Sequence, residues 1–535
     1  MPRPSLPLLR GTTTLESALE EEDDMLLALD HLEQRIDFFV ALYSSRADIA
    51  QIAAGHLGLR SSDPCQLGGV KEWLHGSFNV CIPVYVNNQA RPQAIIRFPL
   101  PYKVGESRNP GNVDEKVRCE AATFISMREH CPEIPIPRLW GFGLVQGQSF
   151  TAPENVPWER RFLRSLQRCL SWLLGRPQSC RYVDHRRSTM VENGYLGMEY
   201  IGSPELQMLS ETWDQDRHHQ DKRKNLFRSL SRIMLALSKT PLPRIGSWTM
   251  DSDGVLQLSN RPLGLRLHQL EHDGIPTNIS RSFNYATADA YYLDLLSCHD
   301  SRIRYQPNSL TDHDDGRAQM ARLAIMRALL PQFTNRELRE GPFFYRLTDL
   351  HPSNVFMDRD WNVTCVIDLE WAYENLTEFG QVHGEFVDIF EEEENSFPPI
   401  NHDQSYRTHL MRRGWQIGNS CTFILFFAST HSVGSDFARI VSDYWAADVE
   451  AVIAAKLRDK EEYETKLAQR FEAVADPSAD NLEERVLAGY IGPMARLGDL
   501  VYNHLIPSTL RIEGTVEALD GDQKDQFLSF ARKML

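Results

Sequence analysis

Tyr345-Arg346-Leu347-Thr348-Asp349-Leu350-His351-Pro352-Ser353-Asn354-Val355-Phe356, followed by Val366-Ile367-Asp368-Leu369-Glu370, is the stretch on which the reading of the fold turns. Asn354 to Met357 and Val363 to Ile367 are short apolar runs on either side of a polar turn, the pattern of an antiparallel hairpin. Three polar residues bracket that hairpin in the order Asp349, Asn354, Asp368. Taken singly, each carboxylate is an ordinary solvated loop residue; the ordered trio, the hairpin between its members and the apolar strands around it carry information only together.

Working outward, Val80-Cys81-Ile82-Pro83-Val84-Tyr85-Val86 and Ala94-Ile95-Ile96-Arg97-Phe98 flank a turn-forming segment and predict a second antiparallel hairpin, with Pro83 at an edge or bulge. The spacing of Val113, Val117, Ala121, Phe124, Ile125 and Arg128 predicts one helix ending before Pro132. An irregular basic segment is expected after Gly141-Phe142-Gly143, then a buried strand at Tyr195 to Ile201. Leu226, Leu230, Ile233, Met234 and Leu237 mark an amphipathic helix. Trp248 to Met250 and Val255 to Leu258 read as strands across an Asp253-Gly254 turn, while Met25 to Leu57 and the stretches beyond residue 403 are helical in pattern. The sum is an α+β chain with a small antiparallel β-rich part, a connecting strand and a larger, mainly helical part.

At 535 residues the chain exceeds what one growing core accommodates. A net charge of −16 excludes a general attraction to nucleic acid or anionic lipid. Nine cysteines without a C-x-x-C pair read as reduced thiols in a cytoplasmic setting rather than disulfides or a zinc site. The acidic run Glu20 to Asp24 interrupts any signal-peptide pattern, and the longest apolar stretch, around Cys421 to Ala428, is too short to span a bilayer.

The segments Asp349-Leu350-His351-Pro352-Ser353-Asn354 and Ile367-Asp368-Leu369-Glu370-Trp371 resemble the aminoglycoside phosphotransferase family, in particular its divergent fungal form. So do Arg244-Ile245-Gly246-Ser247-Trp248 and Asn260-Arg261-Pro262-Leu263; the resemblance covers roughly residues 60 to 375. It implies a protein-kinase-like bilobal fold: an N-terminal helical extension over 1–60, a small N-lobe over 61–202 with a basic insertion at about 144–193, a C-lobe over 203–400, and a helical completion of that lobe over 401–535. The implied activity is transfer of the γ-phosphoryl group of ATP to a small-molecule hydroxyl with Mg2+, a reaction that asks a protein mainly for alignment and charge neutralisation.

In that scheme Asp349 orients the acceptor hydroxyl, and Asn354 and Asp368 hold the metal. Gly76 and Ser77, in Leu74-His75-Gly76-Ser77-Phe78-Asn79, fall where the phosphate-covering loop belongs. Arg97 takes the place of the ATP-contacting lysine, Glu120 that of its partnering carboxylate, and the backbone at Glu199 and Ile201 that of the adenine-facing hinge. Two departures stand out: an arginine at position 97, which is not interchangeable with lysine, and Leu347 where a histidine is usual. They motivate an alternative, a catalytically impaired pseudokinase that binds nucleotide or a partner. A metallohydrolase built on His351, Asp349 and Asp358 lacks the second histidine such a site needs.

Two charged segments lie outside this scheme. Residues 158 to 187 carry eight arginines against Glu159 and Asp184, with an apolar stripe of Phe162, Leu163, Leu166, Leu170, Leu173 and Leu174. The expectation is a helix packed on the protein's own acidic surface, with lipid-surface binding or a lid over an anionic ligand as alternatives. Asp388 and Glu391 to Glu394 are expected to form an exposed acidic loop, the other reading being part of an acceptor pocket for a cation. Oligomeric state is not legible.

Overall fold

The computed structural model describes residues 5–187, 191, 193–203, 205–334, 336–345, 351–369, 383–399, 405–416 and 441–475. It is a mixed α+β structure with antiparallel sheets. The chain opens with strands β1 (Ser5–Pro7) and β2 (Thr12–Thr14), then helices α1 (Leu15–Glu20), α2 (Met25–Ser44) and α3 (Arg46–His56). A large sheet follows from β3 (Cys65–Leu67), β4 (Leu74–His75), β5 (Asn79–Val86) and β6 (Ala94–Pro99), then helix α4 (Asn112–His130). The sheet is completed by β7 (Leu139–Gly143), β8 (Gln148–Thr151), β9 (Val183–Arg186) and β10 (Tyr195–Glu199), with helix α5 (Trp158–Leu173) between β8 and β9. Its order is β3-β5-β6-β10-β7-β8-β9, with β4 also beside β5.

Beyond the sheet come β11 (Gln207–Met208), α6 (Leu209–Asp216) and α7 (Gln220–Leu237), then the hairpin β12 (Ser247–Met250) and β13 (Leu256–Asn260). Helices α8 (Leu265–His272), α9 (Ala288–Tyr305) and α10 (His313–Phe333) lead to the hairpin β14 (Val355–Met357) and β15 (Val363–Val366), on which β11 is the third strand. Helices α11 (His383–Glu394), α12 (Tyr406–Gln416) and α13 (Val449–Ala475) complete the described chain. Among the described residues, no helix is long and apolar enough to cross a membrane.

Alternation along β5 and β6 explains how the sheet is sandwiched. Val80, Ile82 and Val84, with Ile96 and Phe98, point to one face, where they pack with Leu42 of α2 and Ile49, Ile52 and Ala53 of α3. Each fully buried aliphatic side chain of this kind contributes about 1.5–3 kcal/mol, and a one-residue slip would turn the whole set outward. The opposite face is covered by α4, whose Val117, Ala121, Phe124 and Ile125 pack on Phe142, Leu196 and Met198. Ile95 belongs to this second face, and Arg97, two positions on, shares it by strand alternation.

Under the sheet, His56 of α3 bonds Thr151 (2.8 Å) and Tyr195 (2.9 Å), and Ser149 completes the network at 3.0 Å from the tyrosine hydroxyl. Gly141 is a glycine for this reason: a Cβ there would lie 2.0 Å from Nδ1 of His56. The turn after β5 uses Asn87 and Asn88, both at φ 54°, a left-handed conformation that asparagine tolerates.

Three expectations need correction, and a fourth resolves to one of its two alternatives. Pro83 is not on a sheet edge, since β5 is flanked by β6 and by β3 with β4, but it sits at an irregularity of the outer ladder. Its carbonyl accepts from Gly68 (2.8 Å) on the outer side, and its missing N–H faces the same side, where the outer partner leaves the ladder between Leu67 and Leu74. The basic segment over 144–193 is not irregular: β8 and β9 are integral strands joined by a 16-residue helix. The apolar stripe of that helix is not packed on the protein; Phe162, Leu163, Leu166, Leu170, Leu173 and Leu174 are all exposed, and Arg164 is its buried residue.

The acidic run Glu391 to Glu394 is the end of α11 rather than a loop. Glu391 pairs with Arg412 (2.6 Å), Glu393 with Arg228 and Arg232 (3.0 and 2.8 Å), and the buried Glu394 accepts from the backbone N–H groups of Arg407 and Thr408 (both 2.9 Å). Arginines on α7 and α12 neutralise the like charges that would otherwise keep this segment solvated.

Candidate functional site

Helix α4 is the beam on which the site is built. Its N-terminus is held by Glu106, whose carboxylate accepts from the backbone N–H groups of Gly111 and Val113 at 2.7 Å each, satisfying groups the helix cannot satisfy itself. One flank is anchored by Glu115, which receives Arg261 through Nε (2.9 Å) and Nη2 (2.8 Å). Arg261 also reaches Glu271 (2.6 and 3.0 Å), and Arg281 joins Glu115 at 3.0 Å. Removing one member of such a buried charge network costs about 3–5 kcal/mol, so α4 is fixed in rotation.

On the other flank, Lys116 and Glu120 lie one turn apart, which stacks them on one face. Glu120 Oε1 accepts from Nη1 of Arg97 at 2.7 Å, with both side chains buried. The second guanidinium nitrogen of Arg97 is paired with Oδ1 of Asp368. Burial opposes the charge on Arg97, but the two carboxylates outweigh it and hold its pKa above the ordinary value. Lys116 bonds Oδ1 of Asn79 at 2.9 Å and stands 3.8 Å from Oε2 of Glu120. Burial pulls its pKa down to about 7, against the attraction of Glu120. Cys81, opposite Arg97 across the ladder, is pushed up to about 11 by burial and stays a neutral thiol.

Asp368 arrives here because the residues around it are core. Val366 and Leu369 are buried in the cluster that α4 shares with the large sheet, and the Val366 N–H donates to the Pro135 carbonyl at 2.8 Å. Asp368 has φ 59°, a left-handed conformation that aspartate, like asparagine, adopts more readily than other non-glycine residues. Asn354 lies across the same hairpin end: Val355 pairs with Val366, and the Ile367 N–H donates to the Asn354 carbonyl at 2.9 Å. The two residues offer an amide and a carboxylate, a donor set that fits a hard cation.

Asp349 and Leu347 lie outside the described residues, as does Glu370. The nearest described residue upstream, Tyr345, donates to Ser126 of α4 at 2.6 Å. Gly76 and Ser77 form the exposed turn between β4 and β5, closed by the Gly76 N–H on the Asn79 carbonyl at 2.9 Å. A Cβ at Gly76 would meet no atom within 4 Å. Glu199 ends β10 three pairs along from Arg97, about 10 Å by strand rise. Its N–H donates to the Arg138 carbonyl (2.8 Å), and the chain leaves the ladder through Tyr200 to Ile201.

The structure thus brings Arg97, Glu120 and Asp368 into direct contact, with Asn354 beside Asp368, and places Gly76 and Ser77 at the turn preceding Asn79. Lys116 and Asn79 were missed in the sequence; the signal available was the four-residue spacing of Lys116 from Glu120. His351 shapes its loop, its Nδ1 accepting from the Ser353 N–H at 3.3 Å. Asp358 closes the β14–β15 turn, accepting from the N–H groups of Asp360 (3.0 Å) and Asn362 (2.9 Å). Burial raises its pKa, but those bonds and the Asn362 side chain leave it below the ordinary value. Asp358 is therefore engaged by its own turn rather than offered to a metal. No protein-family model, curated protein or solved structure matches the chain.

Proposed function

We propose that the chain is a phosphotransferase of the aminoglycoside-phosphotransferase type, with a protein-kinase-like bilobal fold, that moves the γ-phosphoryl group of ATP to a small-molecule hydroxyl with Mg2+. One contact carries the proposal: Arg97 of the sheet is held between Glu120 of α4 and Asp368 beyond β15. A cation on a strand, a carboxylate on the following helix and a metal-directed aspartate after a short hairpin are the parts that kinases must bring together to hold a nucleotide triphosphate.

In this scheme Arg97 is the cation directed at the phosphates, Asn354 and Asp368 hold Mg2+, and Asp349 orients the acceptor hydroxyl. Gly76 and Ser77 cover the phosphates, and the Glu199 carbonyl and Ile201 N–H face adenine. Bound Mg2+ supplies neutralisation of phosphate charge. A guanidinium in place of an ammonium stays charged at every working pH and forks between two carboxylates, which suits it to a fixed positioning role.

The Arg97–Asp368 pair also favours a second reading, a nucleotide-binding scaffold in which that pair persists and no phosphate moves. ATP turnover with a panel of hydroxylated metabolites decides between them. The enzyme reading expects a phosphorylated product that Asp349→Ala abolishes. A Mg2+-dependent ATP shift in melting temperature without product selects the scaffold, and no ATP shift at all overturns both.

A further inference from the structure

Helix α5 is inverted relative to the ordinary amphipathic helix of a globular protein, which buries its apolar stripe and exposes its charges. Here the buried residue is Arg164, whose guanidinium reaches the carbonyls of Cys180 (3.3 Å) and Asp253 (3.4 Å) and the carboxylate of Asp184 (3.3 Å). Gly254 makes room for it, since a Cβ there would lie 2.6 Å from the guanidinium. The helix is therefore tied down by its polar side. Trp158, Phe162, Leu166, Leu170, Trp172 and Leu173 point away from the protein, Trp158 being 70% exposed and Leu173 69%. An apolar face of this extent on a soluble surface marks an interaction site.

Charge decides what covers it. At 100° per residue, Arg160 and Arg161 fall on the two opposite borders of the apolar face, and both are exposed, as are Arg176 and Arg181 just beyond the helix. Tryptophans stand near both ends of the helix. A second copy meeting this face isologously would set one arginine-bordered patch against another, with Glu159, which the same projection puts on the apolar face between Leu166 and Leu170, as the sole acid of the helix to offset them. Anionic headgroups would neutralise those arginines while the apolar face enters the acyl boundary. We propose that α5 docks the protein on an anionic lipid surface, with the helix axis in the plane of the interface. The local basic patch accomplishes this within a chain of net charge −16, which would orient the remainder of the molecule away from the membrane. The proposal is independent of the phosphotransfer reading.

The test uses the full chain and vesicles of phosphatidylcholine alone or mixed with phosphatidylserine. Co-sedimentation with the mixed vesicles, weakened at high salt, and a blue shift of tryptophan emission are expected. Phe162→Glu with Leu170→Glu should abolish binding without lowering the melting temperature, because both positions are exposed. Arg160→Glu with Arg161→Glu should remove the preference for the anionic vesicles. Absence of binding to either vesicle overturns the proposal, as does binding unchanged in the Phe162→Glu, Leu170→Glu variant. A wild-type dimer that this variant converts to monomers, without vesicle binding, overturns it in favour of an interface between copies.

Discussion

Arg97 is the residue on which the candidate site closes, and its removal has a calculable cost. In Arg97→Met, Glu120 keeps one cation, Lys116, at 3.8 Å and beyond hydrogen-bond reach. Asp368, with about a quarter of its side chain exposed, can turn to water. The penalty therefore falls on Glu120, whose side chain is fully buried. Removing one partner of a buried pair costs about 3–5 kcal/mol, and the remaining lysine places Arg97→Met at about 3–4. Glu120→Gln leaves Arg97 satisfied by Asp368, so its cost should be about 1–2 kcal/mol. The double variant carries neither buried charge and should cost less than the sum, by an interaction energy of about 1–3 kcal/mol. Urea unfolding of the four proteins, followed by tryptophan fluorescence and far-UV dichroism together, measures these differences. Additivity of the two single variants within about 0.5 kcal/mol would refute the contact as the organising feature of the site.

Burial holds His56 and His268 neutral, with pKa values of about 3 against an ordinary 6.5. A folded pKa below the unfolded one means stability is intact above pH 6.5 and falls as pH drops, by about 1.4 kcal/mol per unit for each histidine once well below 6.5. Asp273, raised by burial to about 6, opposes with the reverse sign; His56→Gln should flatten urea midpoints measured between pH 7.5 and 5. Gly141→Ala should destabilise by about 1–3 kcal/mol, since the new methyl collides with His56 and with the Phe150 carbonyl at 2.6 Å; an unchanged midpoint sinks the packing account. Arg261→Ala should cost about 3–5 kcal/mol by leaving Glu115 and Glu271 buried without their shared cation, a loss readable as a lowered melting temperature.

Elements with a strong period were legible. Helix α4, the β5–β6 and β14–β15 hairpins and strand β10 all show alternating or helical apolar spacing, and they fall within a residue or two of where that spacing puts them. What escaped was decided by partners distant in sequence. Nothing local to Glu391 to Glu394 announces that Arg228, Arg232, Arg407 and Arg412 will meet those acids. Likewise the apolar stripe of α5 was visible, but which side would face inward depended on the carbonyls of Cys180 and Asp253 and the carboxylate of Asp184 capturing Arg164. Lys116 was hidden for a similar reason. Its burial follows from strand and helix closing over it, and a lysine in a helix is ordinarily a solvated residue.

Adjacent residues of α4 serve opposite flanks, and this links stability to the site. Glu115 is locked to Arg261 and Arg281, while Lys116 and Glu120 meet Asn79 and Arg97. A helix pinned on one side by a forked ion pair cannot rotate without dragging Glu120 from Arg97, because successive residues turn by a fixed angle. Arg261 is thus a positioning residue for Arg97 although its own partners are Glu115 and Glu271. The place of Arg261, far along the chain from the hairpin that carries Asp368, then has a physical consequence: it sets the helix on which the cation between the two carboxylates depends. In Arg261→Lys, one ammonium replaces a fork that spans two carboxylates. Any Mg2+-dependent shift in melting temperature caused by ATP should therefore weaken in that variant even where the fold survives, and an undiminished shift would separate the two networks.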